Sequence, residues 1–69
     1  PAYLGDGASV TDSLVAPGAR VFGAVARSVI GPGAVVPKGV TVRDSVLLPD
    51  SRAEADVRFA IVDEGFVAT

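Results

Sequence analysis

Apolar and small residues along this chain recur as short alternating runs, and Gly, Pro or Asp interrupts them every few positions. Because side chains alternate across a strand, such a pattern predicts very short strands separated by corners. The runs are related to one another. DSLVAPGARV (Asp12–Val21), RSVIGPGAVV (Arg27–Val36), DSVLLPDSRA (Asp44–Ala53) and FAIVDEGFVA (Phe59–Ala68) begin 15, 17 and 15 residues apart. Aligned, they place Ser13, Ser28, Ser45 and Ala60 in a column of small residues. Leu14, Val29, Val46 and Ile61 form the next column, and Val15, Ile30, Leu47 and Val62 the one after. Pro17, Pro32 and Pro49 also align, each followed by Gly18, Gly33 or Asp50. Proline presets φ for the second position of a tight turn, and glycine tolerates the positive φ that often follows. Each unit therefore reads as strand, Pro-Gly corner, strand.

A finer step runs through the same segment. Ile30, Val36, Val42 and Leu48 are six residues apart, with Ala34, Val40 and Val46 two places before the last three. Six is too long for a helical stripe and too regular for hairpins. It suits three strands to a coil, each pairing in register with its counterpart one coil away at about 4.8 Å. The expected fold is all-β: one domain over residues 1–69, a solenoid of about four short coils. With the six-residue column pointing inward, Ser13, Val15, Ala19, Val21, Ser28, Ile30, Ala34 and Val36 also face the core, and alternation turns Leu14, Val29, Val46 and Ile61 outward. Four stacked aliphatics on an outer face are a poor match for water. A contiguous apolar patch marks a contact surface, so these four residues are the candidate docking site for another domain or subunit.

Composition narrows the chemistry. Thirteen valines and eleven alanines, with few straight-chain helix formers, favour strands over helices. The chain contains no Cys, which excludes disulfides and thiolate metal sites, and no His, which removes the commonest general base and neutral metal ligand. A net charge of −2, from six basic and eight acidic residues well mixed along the chain, leaves no electrostatic footprint for nucleic acid. No apolar run approaches the roughly 18 residues of a membrane span, and no signal peptide is recognisable. Starting at Pro1 and lacking Met, the chain reads as a piece of a longer protein.

Gly31-Pro32-Gly33 has the look of a phosphate loop, but such loops present a helix N-terminus to the anion, and Ala-Val-Val-Pro-Lys-Gly-Val-Thr-Val follows. That segment, Gly5-Asp6-Gly7 and Pro37-Lys38-Gly39 are all read as corners. Asp12 and Asp44 share a column with Arg27 between them, which predicts a ladder of alternating charge rather than a carboxylate pair for acid–base work. Arg20, Arg27, Lys38, Arg43, Arg52 and Arg58 are candidates for an anion or effector site, but no one of them is singled out.

An aliphatic residue, often followed by Gly, with a small residue four places on, resembles the hexapeptide repeat of left-handed parallel β-helices. The handedness comes from that resemblance, since the usual crossover rule favours the right hand. More specifically, DSLVAPGARVFGAVARSVIGPGAVVPKGVTVRDSVLLPD is similar to the C-terminal domain of the glucose-1-phosphate adenylyltransferase (ADP-glucose pyrophosphorylase) family, and PAYLGDGASVTDSLVAPG to the entry into it. The likeness runs firmly from Pro1 to Asp50 and more loosely to Thr69. It implies a single-stranded left-handed β-helix that regulates and assembles a cytoplasmic enzyme. That enzyme makes ADP-glucose from ATP and glucose 1-phosphate, with magnesium, for glycogen synthesis. It further implies a nucleotidyltransferase domain upstream, docking to that domain and to neighbouring subunits of a homotetramer, and effector sites nearby. The family's nucleotide loop, magnesium-binding aspartate and sugar-phosphate lysine have no counterpart here, so no catalytic, cofactor or metal residue is assigned. Two alternatives stand beside this one: the tail of a mannose-1-phosphate guanylyltransferase, and a purely structural hexapeptide module. Hexapeptide acyltransferases and γ-type carbonic anhydrases rely on histidines that this chain does not have. The last coil, ending in DEGFVAT, reads as unfinished.

Overall fold

The computed structural model describes residues 2–63 and the backbone of residues 66–68. Its strands, in chain order, are β1 (Tyr3–Leu4), β2 (Ser9–Thr11), β3 (Leu14–Val15), β4 (Arg20–Val21), β5 (Ala24–Ala26), β6 (Val29–Ile30), β7 (Val35–Val36), β8 (Thr41–Arg43), β9 (Val46–Leu47), β10 (Val57–Arg58), β11 (Ile61–Asp63) and β12 (Phe66–Ala68). They build three faces of a prism. The first face is β1-β4-β7, extended by a bridge from Val35 to Arg52; the second is β2-β5-β8-β10; the third is β3-β6-β9-β11-β12. Every pairing is parallel and in register except that of β11 with β12. This is the all-β, parallel solenoid of about four coils that the repeats predict, the architecture of a left-handed hexapeptide β-helix, with extents of 28 × 19 × 18 Å. Among the described residues there is no helix.

Three kinds of corner shape each coil. Between third and first faces lie the predicted Pro-Gly turns, closed by the amides of Ala19, Ala34 and Ser51 donating to the carbonyls of Ala16, Gly31 and Leu48 at 3.1 Å. Gly18, Gly33 and Asp50 there take φ of 87°, 76° and 61°. Between first and second faces, corner length varies. Three residues separate the inward-facing Val21 and Val25, whereas five separate Val36 and Val42. The two extra residues of the 17-residue coil sit here, in a turn where the Val40 amide donates to the Pro37 carbonyl at 3.2 Å. Gly23 lies under that turn: a Cβ on it would run into the carbonyl oxygens of Val40 and Pro37.

Between second and third faces a single residue turns the chain in the left-handed region: Asp12, Arg27, Asp44 and Phe59, at φ 49°, 47°, 50° and 51°. This one-residue corner shifts the inward count. Val42 is followed five places later by Leu47, which is fully buried, while Leu48 is only half-buried. The six-residue step therefore fails at Leu48, and the repeat column places Leu47 in the core. Val21, Val25, Ile30, Val36, Val42, Leu47 and Val62 fill the axis together with Ala19, Ala34, Ala53 and Ala60. Ser13 and Val15 face inward as expected but stay half-buried at the first coil, where Leu4, in register with the buried Val21, is 54% exposed.

The serine column is built into the backbone network. Ser13 Oγ donates to the Thr11 carbonyl at 2.8 Å and accepts from the Ser28 amide at 3.0 Å. Ser28 Oγ donates to Ala26 and accepts from the Ser45 amide. Ser45 Oγ donates to Arg43 and accepts from the Ala60 amide. The hydroxyls accept the amides of Ser28, Ser45 and Ala60 and donate to carbonyls that also take a backbone amide from the next coil, so Ser28 and Ser45 can be buried. At Ala60 the ladder ends.

The end of the chain departs from the repeat. The fourth segment aligns Val67 and Ala68 with the first face, yet β12 folds back antiparallel on β11, pairing Asp63 with Phe66 and Ile61 with Ala68. There is no proline after Val62 to set the corner, and Glu-Gly, the only two residues between the paired Asp63 and Phe66, has the length and glycine of a hairpin connection. The last coil is replaced by a fifth strand on the third face.

Candidate docking face

The residues singled out for docking come together as the sequence predicts. Leu14, Val29, Val46 and Ile61 are mutual partners in parallel register on β3, β6, β9 and β11. Leu14 is 72% exposed, Val29 and Ile61 are exposed, and Val46 is half-buried between its neighbours. The column stands outward because the Ser or Ala before it and the Val, Ile or Leu after it face the interior.

Beside this stripe runs the edge of left-handed corners. Arg27 donates to Asp44 through Nε at 2.7 Å and a second nitrogen at 3.0 Å, a bidentate pair between adjacent coils. That hydrogen bond holds the Asp44 carboxyl below its ordinary value; partial desolvation works against it, and the charges of Arg27, Arg43 and Arg58 assist. The predicted ladder of alternating charge is thus present from Arg27 to Asp44, with Asp12 contributing through its charge on Arg27. At the fourth position stands Phe59, 67% exposed. An open groove of about 670 Å³ lies between corner and stripe, bordered by Arg27, Val29, Val46, Phe59 and Ile61.

Other candidates take structural places. Gly31-Pro32-Gly33 is a corner, with Gly33 packed under the Asp50 side chain and followed by β7 rather than a helix. Gly5-Asp6-Gly7 and Pro37-Lys38-Gly39 are likewise turns closed by amide-to-carbonyl bonds. Arg43 and Arg58 are neighbours in register on the second face. Arg20 is in register with Val35, which bridges to Arg52, on the first. Among the described residues no group of three His, Cys, Asp or Glu side chains is placed to hold a metal ion. No helix among the described residues is long and apolar enough to cross a membrane. The corner conformation and Phe59's exposure were not read from the sequence. Asp at two of four positions was the available signal for a left-handed residue, and Arg and Phe concealed it.

A family model described as GlmU-like, C-terminal hexapeptide matches residues 3–68. The chain belongs to this hexapeptide family. Among curated proteins, this hexapeptide chain resembles the C-terminal region of glucose-1-phosphate adenylyltransferases. It is 46% identical over 50 residues to that of Clostridioides difficile, covering 72% of this chain and 13% of the relative. It is 40% identical over 58 residues to that of Desulfitobacterium hafniense, covering 84% and 15%. For Acetivibrio thermocellus the figures are 41% over 49 residues, 71% and 12%. The chain thus spans only about one-seventh of the relatives it matches. No solved structure matches it significantly.

Proposed function

We propose that this chain is the assembly and regulatory domain of a cytoplasmic sugar-phosphate nucleotidyltransferase that makes ADP-glucose from ATP and glucose 1-phosphate, with magnesium, for glycogen synthesis. The observation that carries this reading is the match to three glucose-1-phosphate adenylyltransferases at 40–46% identity across most of the chain. The geometry is compatible with a non-catalytic role: the solenoid's interior is filled with aliphatics and its polar columns are spent on backbone hydrogen bonds. In this reading the upstream catalytic domain carries ATP, sugar phosphate and metal. The Leu14–Val29–Val46–Ile61 stripe docks on that domain or on a neighbouring subunit of a homotetramer.

The test begins with the whole polypeptide that carries this segment. Pyrophosphate release is followed with ATP and glucose 1-phosphate, and in parallel with GTP and mannose 1-phosphate. Activity with the first pair alone is expected; activity with the second pair, or with neither, rejects the reading. The 69-residue segment by itself is expected to be inactive. Val29→Lys with Val46→Lys should lower the mass seen by light scattering, because it sets two charges in register at the centre of the stripe. An unchanged mass would mean that the stripe is not the contact between subunits.

A further inference from the structure

Phe59 occupies a corner that elsewhere in the column is given to Asp12, Arg27 and Asp44. A left-handed φ of 51° is an outlier for a bulky residue, and Asp or Asn adopts it at much lower cost. The side chain gains little burial in return, because it is 67% exposed. Its backbone role needs no aromatic either: the Phe59 amide donates to the Arg43 carbonyl, as the Asp44 amide does to Ala26 and the Arg27 amide to Thr11. An exposed, strained aromatic at one edge of an apolar groove is an observation from which function can be inferred.

The charges around it specify what would cover it. Arg58 places its guanidinium 5.8 Å from the Phe59 ring centroid. Arg58 and Arg43 are direct neighbours in parallel register, a like-charge pair, and neither makes an ion pair among the described residues. The nearby carboxylates are engaged: Asp44 with Arg27, and Asp56 with the Thr41 amide at 2.9 Å. Asp12 lies at the far end of the column, beyond Arg27. A two-fold pairing of copies through this corner would bring the two arginines against their own kind, which argues against a second copy. We propose that the Phe59 corner is a docking site for a polypeptide segment that sets an aliphatic side chain against Phe59, Val46 and Ile61. One or two carboxylates of that segment would lie across Arg43 and Arg58. This proposal adds to the docking stripe but rests on strain and charge, so it stands or falls apart from the enzymatic reading.

Random peptides displayed on phage are selected against the full 69-residue chain, and the enriched sequences are titrated against variants. Enrichment of Asp or Glu next to Leu, Ile or Phe is expected. Affinity should fall at least about tenfold in Phe59→Asn and in Arg58→Gln, since aromatic and arginine residues dominate interface energetics, and should weaken with added salt. Phe59→Asn should at the same time raise the folding equilibrium constant by about fivefold, because the strained residue is replaced by one that tolerates the corner. A residue retained to hold the fold would do the reverse. No enrichment, enrichment without acidic residues, binding indifferent to Phe59→Asn, or an unchanged or lowered unfolding midpoint in that variant would each overturn the proposal.

Discussion

The hydroxyl of Ser28 serves two coils, donating to Ala26 in its own and accepting the Ser45 amide from the next. Ser28→Ala keeps the volume nearly unchanged but strands the buried Ser45 amide, while the Ala26 carbonyl keeps its bond from the Asp44 amide. The expected cost is about 1–3 kcal/mol by urea unfolding. Ser13→Ala should cost less, because Ser13 is only half-buried; equal costs would show that burial does not set the size of the effect. The Arg27–Asp44 pair sets an acid limit of a different kind. Asp44 titrates below its ordinary value in the folded chain, so its contribution is complete above the unfolded carboxyl's value. That contribution is lost as pH falls through the depressed one. Stability should therefore decline below about pH 4, and Asp44→Asn should flatten part of that decline in pH-dependent thermal unfolding. Because the pair is exposed at its arginine end, the difference should shrink with added salt.

At the scale of the strand and its corners, the proline and glycine positions were legible in the sequence. Each has a local cause: Pro17, Pro32 and Pro49 preset φ, and the following residue takes a positive one. The second set of corners was not legible, because Arg27 and Phe59 carry no local preference for that conformation. It is imposed by the strands that must stack on either side. Leu48 shows the same limit. Counting by six assigns it to the core, and only the one-residue corner at Asp44 hands that place to Leu47. Gly23 is the position where an element depends most on its neighbour. Gly23→Ala should cost about 1–3 kcal/mol in chemical denaturation, because the added methyl meets backbone carbonyls of the turn at Pro37–Val40. A neutral result would mean that this turn is free to lift away.

At the scale of the whole molecule, the chain is a stack in which each coil supports the next, and its ends differ. The first coil leaves Leu4, an inward residue, largely exposed, while the far end is closed on one face by the antiparallel β12. The outer aliphatic stripe was visible in the sequence because period-two alternation leaves no other direction for Leu14, Val29, Val46 and Ile61 once their neighbours are buried. Repeat spacing and alternation, both properties of the extended chain, were enough to determine the coil number, the inward columns apart from Leu48, and that outer stripe. Three features needed the tertiary structure: the return of β12, the hydrogen-bonded serine ladder, and the meeting of Phe59 with Arg58 and the stripe. Each depends on which groups the stacked coils bring opposite one another, and residues 15 or 17 places apart acquire that relation only when the coils close.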